Sequence, residues 1–217
     1  MSAAAPELPE RAWPSLHDAA RLGARCLGAG AFRLHVHGRA RIPRSGPVVV
    51  VANHSAMIDG PLLFGLLGRR TVFLIKHDMF HGPVGWFLWR IGQLAVRRGE
   101  PDRAPLLAAV RVLRGGGVIG VFPEGTRGEG DVASAHHGAA WLARSSGAVL
   151  LPVVCRGTRR PAGGWRRFWP RVDVLVGEPF DAPTGKGRAA LTAATDQVQA
   201  RLCALVDELD SRRGVTR

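Results

Sequence analysis

Short apolar, β-branched runs alternate along this chain with longer stretches whose apolar positions recur every three or four residues. The short runs at 32–37, 48–52, 72–75, 94–96, 118–122, 149–154 and 172–176 read as seven strands. The stretches at 62–68, 84–91, 105–113 and 135–145 read as helices, and 188–212 as one amphipathic helix. Strands alternating with helices predict a single α/β domain: a mostly parallel central sheet of about seven strands with helices on both faces. Val48-Val49-Val50-Val51 has no polar alternation, the mark of a strand buried on both sides. Gly115-Gly116-Gly117 stops the helix before the fifth strand. Ahead of the first strand, Leu16, Ala19, Ala20, Gly23, Cys26 and Leu27 share one side of a helix, with Arg11, Arg21 and Arg25 mostly on the other. Such an N-terminal amphipathic helix either lies on a lipid surface or packs on its own domain. The division predicted is a tail and amphipathic helix over 1–30 and the main domain over 31–217.

Composition narrows the class of partner. Lys and Arg number 30 against 17 Asp and Glu, a formal net charge of +13, so an anionic partner is expected. Nucleic acid, anionic lipid and a phosphorylated metabolite all meet that description. Only Lys76 and Lys186 are lysines, and the arginine fork suits phosphate. Cys26, Cys155 and Cys203 are far apart and odd in number, which argues against a zinc knuckle or a disulfide framework and for a reducing compartment. The start, MSAAAPELPERAWP, is polar and proline-broken, unlike a secretory signal. No run reaches the roughly 20 apolar residues of a spanning helix, so any membrane contact is expected to be peripheral.

Two segments carry the candidate chemistry, each at the end of an apolar strand, where open α/β sheets place their sites. The first is Asn53-His54-Ser55-Ala56-Met57-Ile58-Asp59-Gly60-Pro61. His54 and Asp59 are a candidate base and its orienting carboxylate. A regular helix would set side chains five apart at about 140°, so the segment must turn for the two to meet. The alternative is that Asp59 caps the helix that follows and His54 is a buried strand-end histidine. The second is Phe122-Pro123-Glu124-Gly125-Thr126-Arg127-Gly128, a turn with exposed amides and an arginine for phosphate, or else a surface loop with an internal Glu–Arg pair. Arg97 and Arg98 close the fourth strand, and Lys76 the third. Pro152, in Leu151-Pro152-Val153, suits a strand end or an edge better than a central ladder position.

NHSAMID, GQLAVRR, FPEGTRG and LLPV, in that order across residues 46–156, resemble the four sequence blocks of the glycerolphosphate acyltransferase family, specifically its 1-acylglycerol-3-phosphate acyltransferase branch. The resemblance implies transfer of a fatty acyl group from acyl-CoA or acyl carrier protein to a lysophospholipid hydroxyl, with no further cofactor. Block by block it implies His54 as general base and Asp59 as the residue that holds it. It assigns Arg98, Glu124, Gly125, Thr126 and Arg127 to the acceptor, with Lys76 a weaker contributor, and Pro152 to the acyl or acceptor pocket. The sequence departs from the family at Ala56, where Ser is frequent, at Arg97, where Asp is frequent, and at His136-His137, where Lys is frequent. Those departures bear on the head group: lysophosphatidate is the expected acceptor, with a lyso-ornithine lipid, a glycolipid or another lysophospholipid as alternatives.

No Cys or Ser in these blocks sits in a nucleophile-elbow context, so one-step transfer without an acyl-enzyme is expected. Oxyanion donors are expected among the amides of 58–60 or near Gly125. Substrates with long chains call for docking on the anionic inner face of a membrane from the cytoplasm, with Trp86, Trp89 and the segment 164–171 as interface candidates. A nucleic-acid module has only charge in its favour, and a metal hydrolase built on His35-x-His37 and His136-His137 lacks a third ligand.

Overall fold

A computed structural model describes residues 7–97, 103–122, 132–159, 168–183 and 187–214. The elements run α1 (Pro14–Ala31), β1 (Arg33–His37), β2 (Val48–Ala52), α2 (Asp59–Leu66), β3 (Thr71–Lys76), α3 (Gly82–Arg90), β4 (Leu94–Val96), α4 (Ala104–Arg114), β5 (Val118–Val121), α5 (Val132–Ser146), β6 (Val149–Arg156), β7 (Arg171–Val176) and α6 (Gly187–Arg212). Two short 3-10 turns, Arg39–Arg41 and His77–Met79, join them.

The seven strands form one sheet in the order β1-β7-β6-β2-β5-β3-β4. Every pairing is parallel except β6 with β7, so β1 and β7 run against the other five strands. The fully buried β2 lies between β5 and β6. Val48, Val50 and Ala52 face a cluster with Leu62, Leu63, Phe64 and Leu67 of the α2 region, while Val49 and Val51 face Leu113, Leu142, Val198 and Leu205 of α4, α5 and α6. Two apolar faces require an uninterrupted valine run, which is why the strand shows no period-two alternation.

Pro152 corrects an expectation. It lies in the middle of β6, a strand with neighbours on both sides, in register with Val51. The ladder tolerates it because β7 has already ended at Val176. Leu150 donates to and accepts from Phe180, and Gly177 donates to the Pro152 carbonyl, so the missing Pro152 N–H faces the gap between those two rungs.

The N-terminal helix packs on its own domain. Leu16, Ala20 and Ala24 of α1 lie against the α2 cluster, and a Cβ at Gly65 would come within 2.6 Å of the Arg25 backbone nitrogen, so only glycine permits this approach. His17 is fully buried in the joint, its Nδ1 2.7 Å from the Ile91 carbonyl and its ring edge-on to Phe64. Asp18 accepts two hydrogen bonds from Arg70 just outside it. Burial holds the His17 pKa below the usual imidazole value near 6.5. The unfolded chain therefore takes up a proton there first, and stability is full above pH 6.5 and falls as the pH drops below it. Melting from pH 8 to 5.5 is expected to show wild type losing up to about 1.4 kcal/mol per pH unit more than His17→Gln below that point. Parallel curves would remove His17 from the joint's pH response.

Several arginines are spent inside the fold. Asp173, fully buried on β7, accepts from Arg171 and Arg213, and Arg156 grips Asp210 through both carboxylate oxygens, so α6 is tied to β6 and β7. Arg69 donates to the carbonyls of Pro43, Gly46 and Gly116 at the sheet rim where β5 begins. The arginine surplus is thus partly structural cement.

Candidate active site

The segment after β2 leaves the sheet, turns through 53–58 and enters α2 at Asp59. That turn overcomes the angular mismatch of a regular helix: His54 Nδ1 lies 3.4 Å from Asp59 Oδ2. The same oxygen accepts hydrogen bonds from the amides of Ser55 at 2.7 Å and Ala56 at 2.8 Å. Asp59 therefore does not cap α2, whose N-cap position has no side-chain hydrogen bond; it braces the turn that carries His54. Asp59 is fully buried, whereas the His54 side chain keeps 22% of its exposure. At 3.4 Å the two groups are in contact but long for a hydrogen bond, and neither His54 Nδ1 nor Asp59 Oδ1 has a hydrogen-bond partner among the described residues. Catalytic hydrogen bonds are often long without substrate and tighten when it binds. With Nδ1 turned to the carboxylate, Nε2 is the nitrogen left for a substrate proton.

An aromatic stack orients the imidazole. Phe122, at the end of β5, lies 4.5 Å from the His54 ring at 28°, and Phe73 of β3 lies 5.5 Å beneath Phe122 at 12°. Gly120 makes room for the base of the stack, because a Cβ there would collide with the Phe73 ring. Gly120→Ala is expected to displace Phe73 and through it Phe122 and His54. Overpacking of this kind costs about 1–3 kcal/mol. The check is a melting curve together with kcat: a destabilised variant with undiminished kcat would show that the stack supports the fold and not the base.

Cys155, beside Asp59, is fully buried and burial pushes its thiol pKa well up, so it is neither exposed nor ionised enough to carry an acyl group. Cys26 and Cys203 are free and exposed on α1 and α6. Of the 58–60 amides considered for an oxyanion, Asp59 N is committed to the Ala56 carbonyl; the Ser55 and Ala56 amides beside them are committed to the carboxylate.

The other site candidates divide. Lys76 sits on the rim where β3 ends, half exposed and ion-paired with Asp78, which holds the Asp78 carboxyl below its usual range and occupies the ammonium. Pro152 is buried within β6. Arg98, Glu124, Gly125, Thr126 and Arg127 lie outside the described residues, as do the His136 side chain and Trp165, Arg166 and Arg167. His35 approaches Asp173 at 3.9 Å, and the described residues contain no group of three or more side chains able to hold a metal ion. Sequence reading missed Asn53, which is 2% exposed and bonded to the Cys155 backbone. Its signal was a polar residue placed directly after an unbroken apolar strand.

Aromatic and basic side chains gather where α1 begins and α3 lies. Trp13 and Trp86 meet edge to face at 6.0 Å, and the Arg90 guanidinium sits 4.6 Å from the Trp13 ring and 5.9 Å from that of Trp86. Trp13, Val84, Trp86 and Phe87 are exposed. Trp89 turns inward against Phe80 at 4.7 Å. Among the described residues no helix is long and apolar enough to cross a membrane.

The chain is similar to known acyltransferases. The 1-acyl-sn-glycerol-3-phosphate acyltransferase of Bacillus subtilis is 27% identical over 181 residues, covering 81% of this chain and 89% of that protein. The lyso-ornithine lipid O-acyltransferase of Pseudomonas aeruginosa is 36% identical over 134 residues, covering 60% of this chain and 50% of that protein. The crystal structure of the 1-acyl-sn-glycerophosphate acyltransferase PlsC from Thermotoga maritima superposes with a TM-score of 0.66 at 26% identity, covering 90% of this chain and 79% of that one. The Acyltransferase family matches residues 33–156, a span that holds β1 to β6, the His54–Asp59 turn and the Phe122 stack, and by that match over more than half its length the chain belongs to the Acyltransferase family.

Proposed function

We propose that the chain transfers a fatty acyl group from acyl-CoA or acyl carrier protein to the sn-2 hydroxyl of 1-acylglycerol-3-phosphate, giving phosphatidic acid. The observation that carries this reading is the contact of His54 Nδ1 with a buried, doubly amide-bonded Asp59 at the end of the central strand. A hydroxyl is a weak nucleophile at neutral pH, so His54 Nε2 takes its proton as the oxygen attacks the thioester carbonyl. The tetrahedral intermediate collapses with cleavage of the C–S bond. The thiolate leaves and takes the proton from the imidazolium, which Asp59 stabilises while it lasts. Arg98 and Arg127 are assigned to the acceptor phosphate, and Glu124, Gly125 and Thr126 to the acceptor with them.

The substrates named for the Bacillus subtilis and Thermotoga maritima proteins support this acceptor, and the Pseudomonas aeruginosa relative favours a second reading, the same chemistry on a lyso-ornithine lipid. Purified protein with labelled acyl thioester and a panel of lyso-lipids separates them. Product on lysophosphatidate alone supports the first reading, product on lyso-ornithine lipid alone the second, and no transfer to any lyso-lipid contradicts both.

The protein works docked on an anionic bilayer. The exposed Trp13, Trp86, Val84 and Phe87 with Arg90 packed against both indoles give the apolar-plus-cationic surface that an interface favours. Co-sedimentation is expected with anionic vesicles, weakened by salt and by Trp86→Ala with Arg90→Ala. Equal, salt-insensitive binding to neutral vesicles would contradict the electrostatic part.

A further inference from the structure

We propose that Asn53 is a positioning residue for the acyl transfer, its carboxamide standing in the sheet for the backbone C=O and N–H that turn away to carry His54; this rests on the reading of His54 as the base. The β2–β6 ladder runs in register to Ala52 opposite Val153, but β6 continues to Arg156. At Cys155 the edge of β6 facing β2 would thus meet no backbone. Asn53 fills that place: its Oδ1 accepts from the Cys155 amide at 2.7 Å and its Nδ2 donates to the Cys155 carbonyl at 3.0 Å. A carboxamide offers one acceptor and one donor side by side, the pair that an extended strand presents to a neighbouring edge from two successive peptide units. The side chain therefore makes the next rung while the main chain leaves the sheet.

The consequence reaches the chemistry through a short path. Nδ2 also donates to Ser55 Oγ at 3.3 Å, and the Ser55 amide binds the Asp59 carboxylate. The turn bearing His54 is thus held at its start by the Asn53–Cys155 rung and at its end by Asp59, both buried. Other side chains fail for identifiable reasons. Asp has no donor and sets a carboxylate against the Cys155 carbonyl, Ser makes one of the two bonds at most, and Gln is one methylene too long.

The test compares Asn53→Asp, Asn53→Ser and His54→Ala in acyl transfer with lysophosphatidate, with melting curves for each. A misplaced catalytic group costs about 10²-fold, so Asn53→Asp is expected to lose about that in kcat, and Asn53→Ser less, with the KM of both substrates within about threefold of wild type. A structural role alone would lower the melting temperature and leave the kcat of the folded fraction unchanged. Folded Asn53→Asp with wild-type kcat, or a loss that appears only in KM, overturns the proposal. Should Asn53→Asp not fold, wild-type kcat in Asn53→Ser overturns it equally. Inactive His54→Ala beside fully active Asn53 variants would defeat the positioning role alone, whereas active His54→Ala would defeat the base on which it rests.

Discussion

His54→Ala is expected to lower kcat for acyl transfer by about 10²- to 10⁴-fold, the usual range for a general base, with substrate KM values little changed and the fold intact. The fold should survive because the side chain is partly exposed and its only ring partner is Phe122 among the described residues. Loss of that stacking costs about 0.5–1.5 kcal/mol, against a barrier increase of about 3–5 kcal/mol at 1.36 kcal/mol per decade. Activity and stability therefore separate at this position, and kcat with a melting curve reads both. A folded variant within tenfold of wild type would remove His54 from the base role.

Asp59→Ala is expected to damage both properties. Its carboxylate is fully buried and accepts the Ser55 and Ala56 amides, so alanine leaves two donors without their acceptor. Hydrogen bonds to a charged group contribute about 1.5–3 kcal/mol each. Relief of the carboxylate's own desolvation offsets part of that, because Oδ1 is buried without a partner among the described residues. A net loss of about 2 kcal/mol is the expected balance. Activity should fall at least about 10²-fold besides, since the imidazole loses both its orienting contact and the turn that presents it. Stability lost with kcat preserved would make Asp59 a brace for the loop and nothing more.

Strand positions were legible because burial writes them into the residues. The valine run of β2 needs two apolar faces, and the β-branched segments at 71–76, 118–121 and 149–156 obey the same constraint. Strand direction was less legible: β7 follows β6 with no helical pattern between them, the one hint that the pair is antiparallel while the helix-linked strands are parallel. Pro152 misled, since a proline's cost depends on where the neighbouring strand stops, which only the placement of Gly177 and Phe180 reveals. His54 and Asp59 were readable as a pair, but not the two amides that hold the carboxylate, which depend on the backbone path of the turn, nor the Phe73–Phe122 stack, which arises from register between β3 and β5. Charge was the least specific signal. Arg69, Arg70, Arg156, Arg171 and Arg213 are committed to carbonyls and carboxylates of the fold, a use that composition does not separate from binding an external anion.

The proposed transfer requires Asp59 to hold His54 with Nδ1 protonated and Nε2 open to the acceptor hydroxyl. Nitrogen-15 NMR of histidine-labelled protein at pH 8, with the His54 signals assigned by their loss in His54→Ala, measures this directly. Neutral His54 is expected to carry its proton on Nδ1, and Asp59→Asn to shift the balance toward Nε2. A wild-type His54 protonated on Nε2, with signals indifferent to Asp59→Asn, would contradict it.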